Sequence, residues 1–277
     1  MHSLPPELNA KRDRLIGLLR GYGSCLVAFS GGLDSSVLAK AASLALGDGA
    51  VAATCVSASM AAGELDEAEH VARQIGIRHE TVRTGELSIA AYCQNQADRC
   101  YHCKLELLGC LQQLAERLNL AVTADGSNLD DRADYRPGAK AVAERGVKTP
   151  LAECGLTKDD IRRLAEAWEL SVWDKPPTPC LSSRIAYGER ITPERLKMID
   201  AAERFLRDRG FRPLRVRYHR GEMARIEVSA EQLPKLIDEG FRRELIGHFH
   251  TLGFKYVSLD LEGFRSGSLN AALDNPV

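Results

Sequence analysis

A short apolar run, "SCLVAF" (Ser24 to Phe29), leads straight into a glycine turn and a helical pattern, "SGGLDSSVLAKAASLAL" (Ser30 to Leu46). This junction constrains the fold more than any other stretch. A strand with apolar side chains on both faces must be covered on both faces, as in the interior of a parallel sheet. A parallel neighbour then requires a long crossover, usually a helix. The glycines let the backbone turn tightly and approach a ligand closely. The helix N-terminus adds unpaired N–H groups and a positive dipole end, so the turn is suited to an anion.

The same alternation continues along the chain. "GAVAATCVSA" (49–58) reads as a second buried strand and "GELDEAEHVARQIG" (63–76) as a helix closed by Gly76. "RHETVRT" (78–84) is a third, more polar strand, "CKLELLGCLQQLAERLN" (103–119) a helix, and "LAVTADG" (120–126) a fourth strand. "TKDDIRRLAEAWEL" (157–170) opens in the manner of a capping box, with Thr157 and Asp160 as its partners. Strands alternating with helices predict an α/β fold, a doubly wound parallel sheet whose working loops lie at the carboxyl ends of its strands. "SGGLDSS" and "DGSNLDD" (125–131) both fall there. The prolines of "DKPPTPC" (174–180) forbid helix and hold the chain extended. A domain boundary is therefore expected here, giving a first domain over 1–175 and a smaller α+β domain over 176–277. In the latter, "LRVRYH" and "MARIEVS" read as paired strands behind a helix that has Pro193 in its first turn.

Charge and cysteine usage narrow the chemistry. The net charge of -1 provides no global field for nucleic acid. The N-terminal segment is charged and does not resemble a signal peptide, and no apolar run is long enough for a bilayer, so a cytoplasmic protein with no membrane partner is expected. In a reducing compartment the eight cysteines are not expected to pair as disulfides. Cys25, Cys55 and Cys110 sit in core-like patterns, and Cys93 and Cys154 carry no usable signal. Cys100, Cys103 and Cys180 remain: the first two have Cys-x-x-Cys spacing, and the third sits in the proline-flanked stretch.

The turn itself departs from the common NTPase loop, which ends in Gly-Lys-Ser/Thr with its lysine on the outer phosphates. Here Asp34 stands among the serines, and the next lysine is Lys40. Ser30, Gly31, Gly32, Ser35 and Ser36 offer backbone and hydroxyl donors to phosphate. Asp34 would repel phosphate and is expected to ligate Mg²⁺ or cap the helix. Ser57 and Gly126, at the ends of the second and fourth strands, complete the expected ATP-binding set. In the small domain, Arg215 and Arg217 point to one face of a strand, and two guanidinium forks on one face suit a phosphate.

"SGGLDSS" resembles the pyrophosphatase loop (PP-loop) of the N-type ATP pyrophosphatases, which have the adenine nucleotide alpha hydrolase-like fold. That resemblance implies cleavage between the α and β phosphates and transfer of AMP to a substrate oxygen. It also accounts for the missing lysine, since pyrophosphate is cradled as a leaving group. "DGSNLDDRADYRPG", "WDKPPTPCLSSRIAYGERIT" and "LRVRYHRGEMARIEV" together resemble the LarE family, the ATP-dependent sulfur transferases of nickel-pincer cofactor synthesis, over nearly the whole chain. What the resemblance implies is a pyridinium mononucleotide substrate bearing two carboxylates, one of which ATP adenylates. It further implies attack by Cys180 on the acyl adenylate, and Arg215, Arg217 and Glu227 around the substrate phosphate; Arg184, four residues after Cys180, is expected to bind substrate, balancing phosphate charge and lowering the thiol pKa. Sulfur would come either from Cys180 itself, leaving dehydroalanine, or from a [4Fe–4S] cluster held by Cys100, Cys103 and Cys180, the reading favoured here. Family members form homo-oligomers, hexamers among them. Two rivals share parts of the pattern. A tRNA thiolation enzyme would want a basic RNA-binding surface, which the charge balance argues against. A nucleotide or Fe–S sensor without catalysis would have no use for a proline-presented cysteine.

Overall fold

The computed structural model describes residues 4–132, 137–265 and 268–269. Its helices, in chain order, are α1 (Pro6–Gly21), α2 (Leu33–Leu46), α3 (Glu64–Ile75), α4 (Ala90–Cys93), α5 (Arg99–Arg117), α6 (Pro137–Glu144), α7 (Pro150–Glu153), α8 (Lys158–Ala167), α9 (Pro193–Asp208), α10 (Leu233–Ile237) and α11 (Glu239–Thr251). The strands are β1 (Cys25–Ala28), β2 (Ala50–Val56), β3 (Arg78–Arg83), β4 (Val122–Ala124), β5 (Leu214–His219), β6 (Met223–Val228) and β7 (Tyr256–Leu259). The chain divides into two compact units, one of 1–57, 63–86 and 100–178, the other of 58–62, 87–99 and 179–277. Sequence reading places a single cut after residue 175; the main division lies between Thr178 and Pro179, and two short excursions of the N-terminal half also belong with the second unit.

In the first unit four parallel strands stand in the order β3-β2-β1-β4. Cys25 to Ala28 pair with Ala50 to Ala53 on one side, and Cys25 to Val27 with Val122 to Ala124 on the other. The apolar strands β1 and β2 are interior, whereas the polar β3 takes the edge, as the composition of each demands. Helices α1, α2, α3 and α8 contribute Leu15, Leu19, Val37, Leu38, Val71, Ile161 and Leu164 to one core, and α5 contributes Leu108 and Leu111 to another. Burying each such side chain is worth roughly 1.5–3 kcal/mol before entropy is subtracted. The chain leaves β1 towards β2 and β3, then returns to the other side of β1 as β4. That reversal is a topological switch point, and the turns after β1 and β4 open at it.

Local signals act as the residues predict. Gly76 closes α3 in the left-handed conformation at φ 76°. Thr157 and Asp160 form the full capping box of α8. In the second unit β5 and β6 are antiparallel, and β7 joins β6 in parallel. Leu214, Val216 and Tyr218 alternate with Arg215, Arg217 and His219 along β5, and Ala224, Ile226 and Val228 with Arg225 and Glu227 along β6. One face thus packs apolar side chains with α9 residues such as Ile199 and Leu206, all buried. The other face carries charge.

Candidate active site

The turn after β1 is shaped by its own serines and by the glycines. Ser30 N donates to Ser35 Oγ at 3.2 Å, Gly32 N to Ser30 Oγ at 3.3 Å, and Ser35 Oγ to Gly32 O at 3.1 Å. Gly31 has φ +67°, and a Cβ there would lie 2.8 Å from Ala68 Cα, so no larger residue fits without moving α3. Gly126 lies so close to the start of α2 that a Cβ would come 3.1 Å from Ser35 N. The turn after β4 is thus seated on the N-terminus of α2. Ser36 is fully buried, and among the described residues nothing partners its Oγ. Ser57 follows β2 at the same carboxyl edge and is half-buried.

Asp34 is not the cap of α2: Gly32 holds that position and makes no side-chain cap bond. Its carboxylate is engaged from two distant places. Asn128 Nδ2 donates to Oδ1 at 3.1 Å, and the Lys158 ammonium pairs with Oδ2. Asn128 is in turn fixed by Asp131, which accepts from its N–H at 3.0 Å, and Asp130 accepts from Lys158 N at 2.8 Å. Beside them Lys104 reaches Asp125 at 2.5 Å, and Ser127 N donates to the other oxygen at 3.0 Å. Burial opposes ionisation of Asp125, but Lys104 and Ser127 outweigh it and hold the carboxyl below its usual value. Sequence reasoning missed Lys104, Asp125, Asn128 and Lys158. The polar run directly after β4 was a usable signal for Asp125 and Asn128; nothing local signals a lysine 124 residues beyond Asp34. Asp134, Tyr135 and Arg136, part of a stretch that carries the family resemblance, lie outside the described residues. Cys100 and Cys103 open α5 three residues apart, the first exposed and the second half-buried.

In the second unit Cys180 is exposed and precedes a short 3₁₀ turn, Leu181–Arg184. Its carbonyl accepts from Ser183 N at 2.9 Å, Ser183 Oγ at 2.7 Å and Arg184 Nη1 at 3.0 Å. The position of the thiol is therefore set through its backbone. Arg184 is 1% exposed: Nε meets Glu203 Oε1 at 3.0 Å, and Nη1 also donates to Pro179 O. Glu203, which is fully buried, also accepts from Val216 N at 3.1 Å, so it ties the loop to β5. A further set of anchors comes from the 87–99 excursion. Tyr92 OH lies 2.6 Å from Ser182 Oγ, and Arg99 Nη1 donates to Ser182 O at 2.9 Å and Asn95 Oδ1 at 2.8 Å. Asn95, at φ 56°, aims its amide at Ile185 O, Ala186 O and Glu189 O.

The charged face of β5 and β6 lies alongside this loop, where Ile185 bridges Tyr218. Arg217 donates to Ser183 O at 3.0 Å and pairs with buried Glu227 at 2.8 Å. Arg225, directly opposite Arg217 in the ladder, would repel it; Glu227 at 3.2 Å and Asp260 absorb its charge. Among the described residues no acceptor meets the buried Nε of Arg217. Arg215 stacks over Phe264 at 5.1 Å, and burial, with the Arg184 charge, pulls its pKa down to about 10. His219 Nε2 accepts from Arg225 Nε at 3.1 Å, and burial followed by the Arg225 and Arg217 charges pushes its pKa down. The structure thus gathers Cys180, Arg184, Arg217 and Glu227 into one hydrogen-bonded assembly, with Arg215 on the same strand face. Glu203, Tyr92, Asn95 and Arg99 were missed because their roles depend on partners far along the chain, and Arg225 because its pairing with Glu227 and Asp260 appears only once the sheet is formed. Among the described residues no three His, Cys, Asp or Glu side chains gather as a metal site, and no helix is long and apolar enough to cross a membrane.

Comparison with known proteins gives a family model described as asparagine synthase over residues 18–102, the stretch that includes the phosphate turn. An uncharacterized protein of Synechocystis is 44% identical over 96% of this chain and 99% of its own. The pyridinium-3,5-bisthiocarboxylic acid mononucleotide synthase of Lactiplantibacillus plantarum is 34% identical over 96% of both. An uncharacterized protein of Methanocaldococcus jannaschii is 31% identical over 87% of this chain and 90% of its own.

Proposed function

The chain belongs to the LarE family of ATP-dependent sulfur transferases, and from that premise we propose that it adenylates a carboxylate of a pyridinium dicarboxylate mononucleotide and replaces the activated oxygen with sulfur. The single observation that carries this reading is Cys180: an exposed cysteine whose backbone carbonyl accepts from a fully buried arginine, beside a strand face carrying two further arginines. A reactive side chain on a locked backbone is what nucleophilic catalysis requires.

On this reading the backbone N–H groups of Gly31 and Gly32 and the hydroxyls of Ser30 and Ser35 receive the outer phosphates, with Ser57 and Gly126 around the nucleotide. Asp34 presents carboxylate oxygens beside that cradle, a hard donor set that suits Mg²⁺, which when bound neutralises phosphate charge. The substrate carboxylate attacks the α-phosphorus; the bond to the β-phosphate oxygen breaks, and pyrophosphate leaves. In the branch where Cys180 is the donor, its thiolate then attacks the acyl carbon, and AMP departs with the former carboxylate oxygen. Arg215 and Arg217 hold the mononucleotide phosphate, Glu227 fixes Arg217, and Arg184 holds the cysteine loop. If Cys180 is the donor, its Cα proton and Cβ–S bond are lost, leaving dehydroalanine and a thiocarboxylate. If Cys100, Cys103 and Cys180 hold a [4Fe–4S] cluster, the cluster supplies inorganic sulfide when bound. The resemblance adds a cytoplasmic homo-oligomer to the proposal.

The test is pyrophosphate release from ATP and Mg²⁺ with and without the mononucleotide, in wild type and Asp34→Asn. Release that depends on substrate and is lost in the variant supports the reading. Normal turnover in Asp34→Asn overturns the assignment of the loop.

A further inference from the structure

We infer that Asn95 is a positioning residue for sulfur transfer: its buried side chain clamps the segment that follows Cys180, and that clamp decides whether the acyl adenylate is captured by sulfur or by water. The inference rests on the sulfur-transferase reading above. It begins from a residue that a turn alone does not explain. Asn95 stands in the left-handed region at φ 56°, where glycine is the least strained choice. It is also fully buried, so its amide has to find partners within the protein.

The side chain finds them all on one stretch. Nδ2 lies 2.8 Å from Ala186 O, 3.1 Å from Glu189 O and 3.2 Å from Ile185 O, and Oδ1 accepts from Arg99 Nη1 at 2.8 Å. An asparagine amide has two N–H donors and one carbonyl oxygen, and all are in use. The backbone around Asn95 adds to the hold: Gly188 N donates to Asn95 O at 3.1 Å, and Ile191 N to Cys93 O at 2.9 Å. Arg99 extends it towards Cys180, because the same Nη1 donates to Ser182 O at 2.9 Å.

The opposite side of this stretch is fastened to β5, where Ile185 bridges Tyr218 and Ala186 N donates to Tyr218 O at 3.0 Å. Arg184 holds the Cys180 carbonyl from inside the loop, and Asn95 holds the loop where it leaves. A loop fastened on one side only can pivot about that side. A displacement of about 1 Å at a reacting atom costs on the order of 100-fold in rate. Hydrolysis then competes: a water oxygen attacks the acyl carbon, AMP leaves, a proton is released and the original carboxylate is regenerated, with ATP consumed and no sulfur gained. Asn95 acts on this partition and not on adenylation, which precedes it.

The experiment compares wild type, Asn95→Gly and Asn95→Asp, purified without air, in a single turnover with ATP, Mg²⁺ and the mononucleotide, counting thiolated product per pyrophosphate. Glycine keeps the left-handed backbone and removes the amide. Aspartate keeps the shape but sets an acceptor against three carbonyls. Product per pyrophosphate should fall by about 10-fold or more in both variants, with pyrophosphate release nearly unchanged. An unchanged ratio in Asn95→Gly overturns the inference and leaves Asn95 a turn residue. Equal loss of product and pyrophosphate release in Asn95→Gly also overturns it, since a role in stability alone lowers both together. A wild type that releases pyrophosphate but forms no thiolated product fails the parent reading instead. The alkylation rate of Cys180 by iodoacetamide then decides: a rate altered in Asn95→Gly upholds the clamp, and an equal rate sinks it.

Discussion

The phosphate turn and the cysteine loop solve opposite problems. The turn after β1 has to offer donors, and it does so with backbone N–H groups, small residues and a helix end. Its own charged group, Asp34, is paired near solvent with Lys158. The cysteine loop has to hold one thiol still, and it does so with buried charge: Arg184 on Glu203, and Arg217 on Glu227. An exposed pair contributes at most about 1 kcal/mol, whereas breaking a buried pair costs about 3–5 kcal/mol. The first region is therefore built to exchange its partners and the second to keep them.

The comparison breaks most visibly if the two regions are not chemically separable. Cys180→Ser should abolish thiolated product while leaving pyrophosphate release little changed, and Asp34→Asn should lower pyrophosphate release by about 100-fold or more. Parallel loss of both activities in the cysteine variant would remove Cys180 from its role. Next in size is stability. Glu203→Gln leaves Arg184 buried without its carboxylate and should cost about 3 kcal/mol or more in urea unfolding, whereas Asp34→Asn should cost under about 1 kcal/mol. Equal costs would erase the distinction. Gly31→Ala forces a side chain into a left-handed position against Ala68 Cα, and a loss of about 1–3 kcal/mol accompanied by weaker nucleotide binding is expected.

The smallest effects lie in the pH dependence, and they fall in two windows. The folded pKa of Asp125 is depressed below 3.8, so its contribution is complete above that value and lost as pH falls through the folded pKa. Lys104→Met should be less stable than wild type at neutral pH, with the gap closing in acid. The folded pKa of His219 lies below 6.5, so folding favours the neutral ring and that contribution shrinks as pH falls below 6.5. His219→Gln should flatten the stability curve in this upper window and leave the lower one intact, as chemical denaturation across pH would show.

What could be read from the sequence follows the same division. The strands and helices of the parallel sheet, the capping box at Thr157 and the glycines of the turn are local patterns, and local patterns survive in one dimension. Arg215, Arg217 and Glu227 were visible as types on a strand face. Their partners were not: Glu203 reads as an ordinary position of an amphipathic helix until Arg184 and Val216 N are found beside it. The 87–99 excursion was equally silent, since its purpose lies in Asn95 and Arg99 reaching carbonyls near residue 185. Nothing in the sequence linked Lys158 to the phosphate turn, because its partner, Asp34, lies far back in the chain.

The most direct measurement is a single turnover of air-free protein with ATP, Mg²⁺ and the pyridinium dicarboxylate mononucleotide, followed by mass analysis of product and polypeptide. The account predicts one oxygen of the substrate replaced by sulfur for each pyrophosphate released. The sulfur should be traceable either to loss of H₂S from Cys180 or to sulfide present in the starting protein. Pyrophosphate and AMP released with a substrate that carries no sulfur would contradict it.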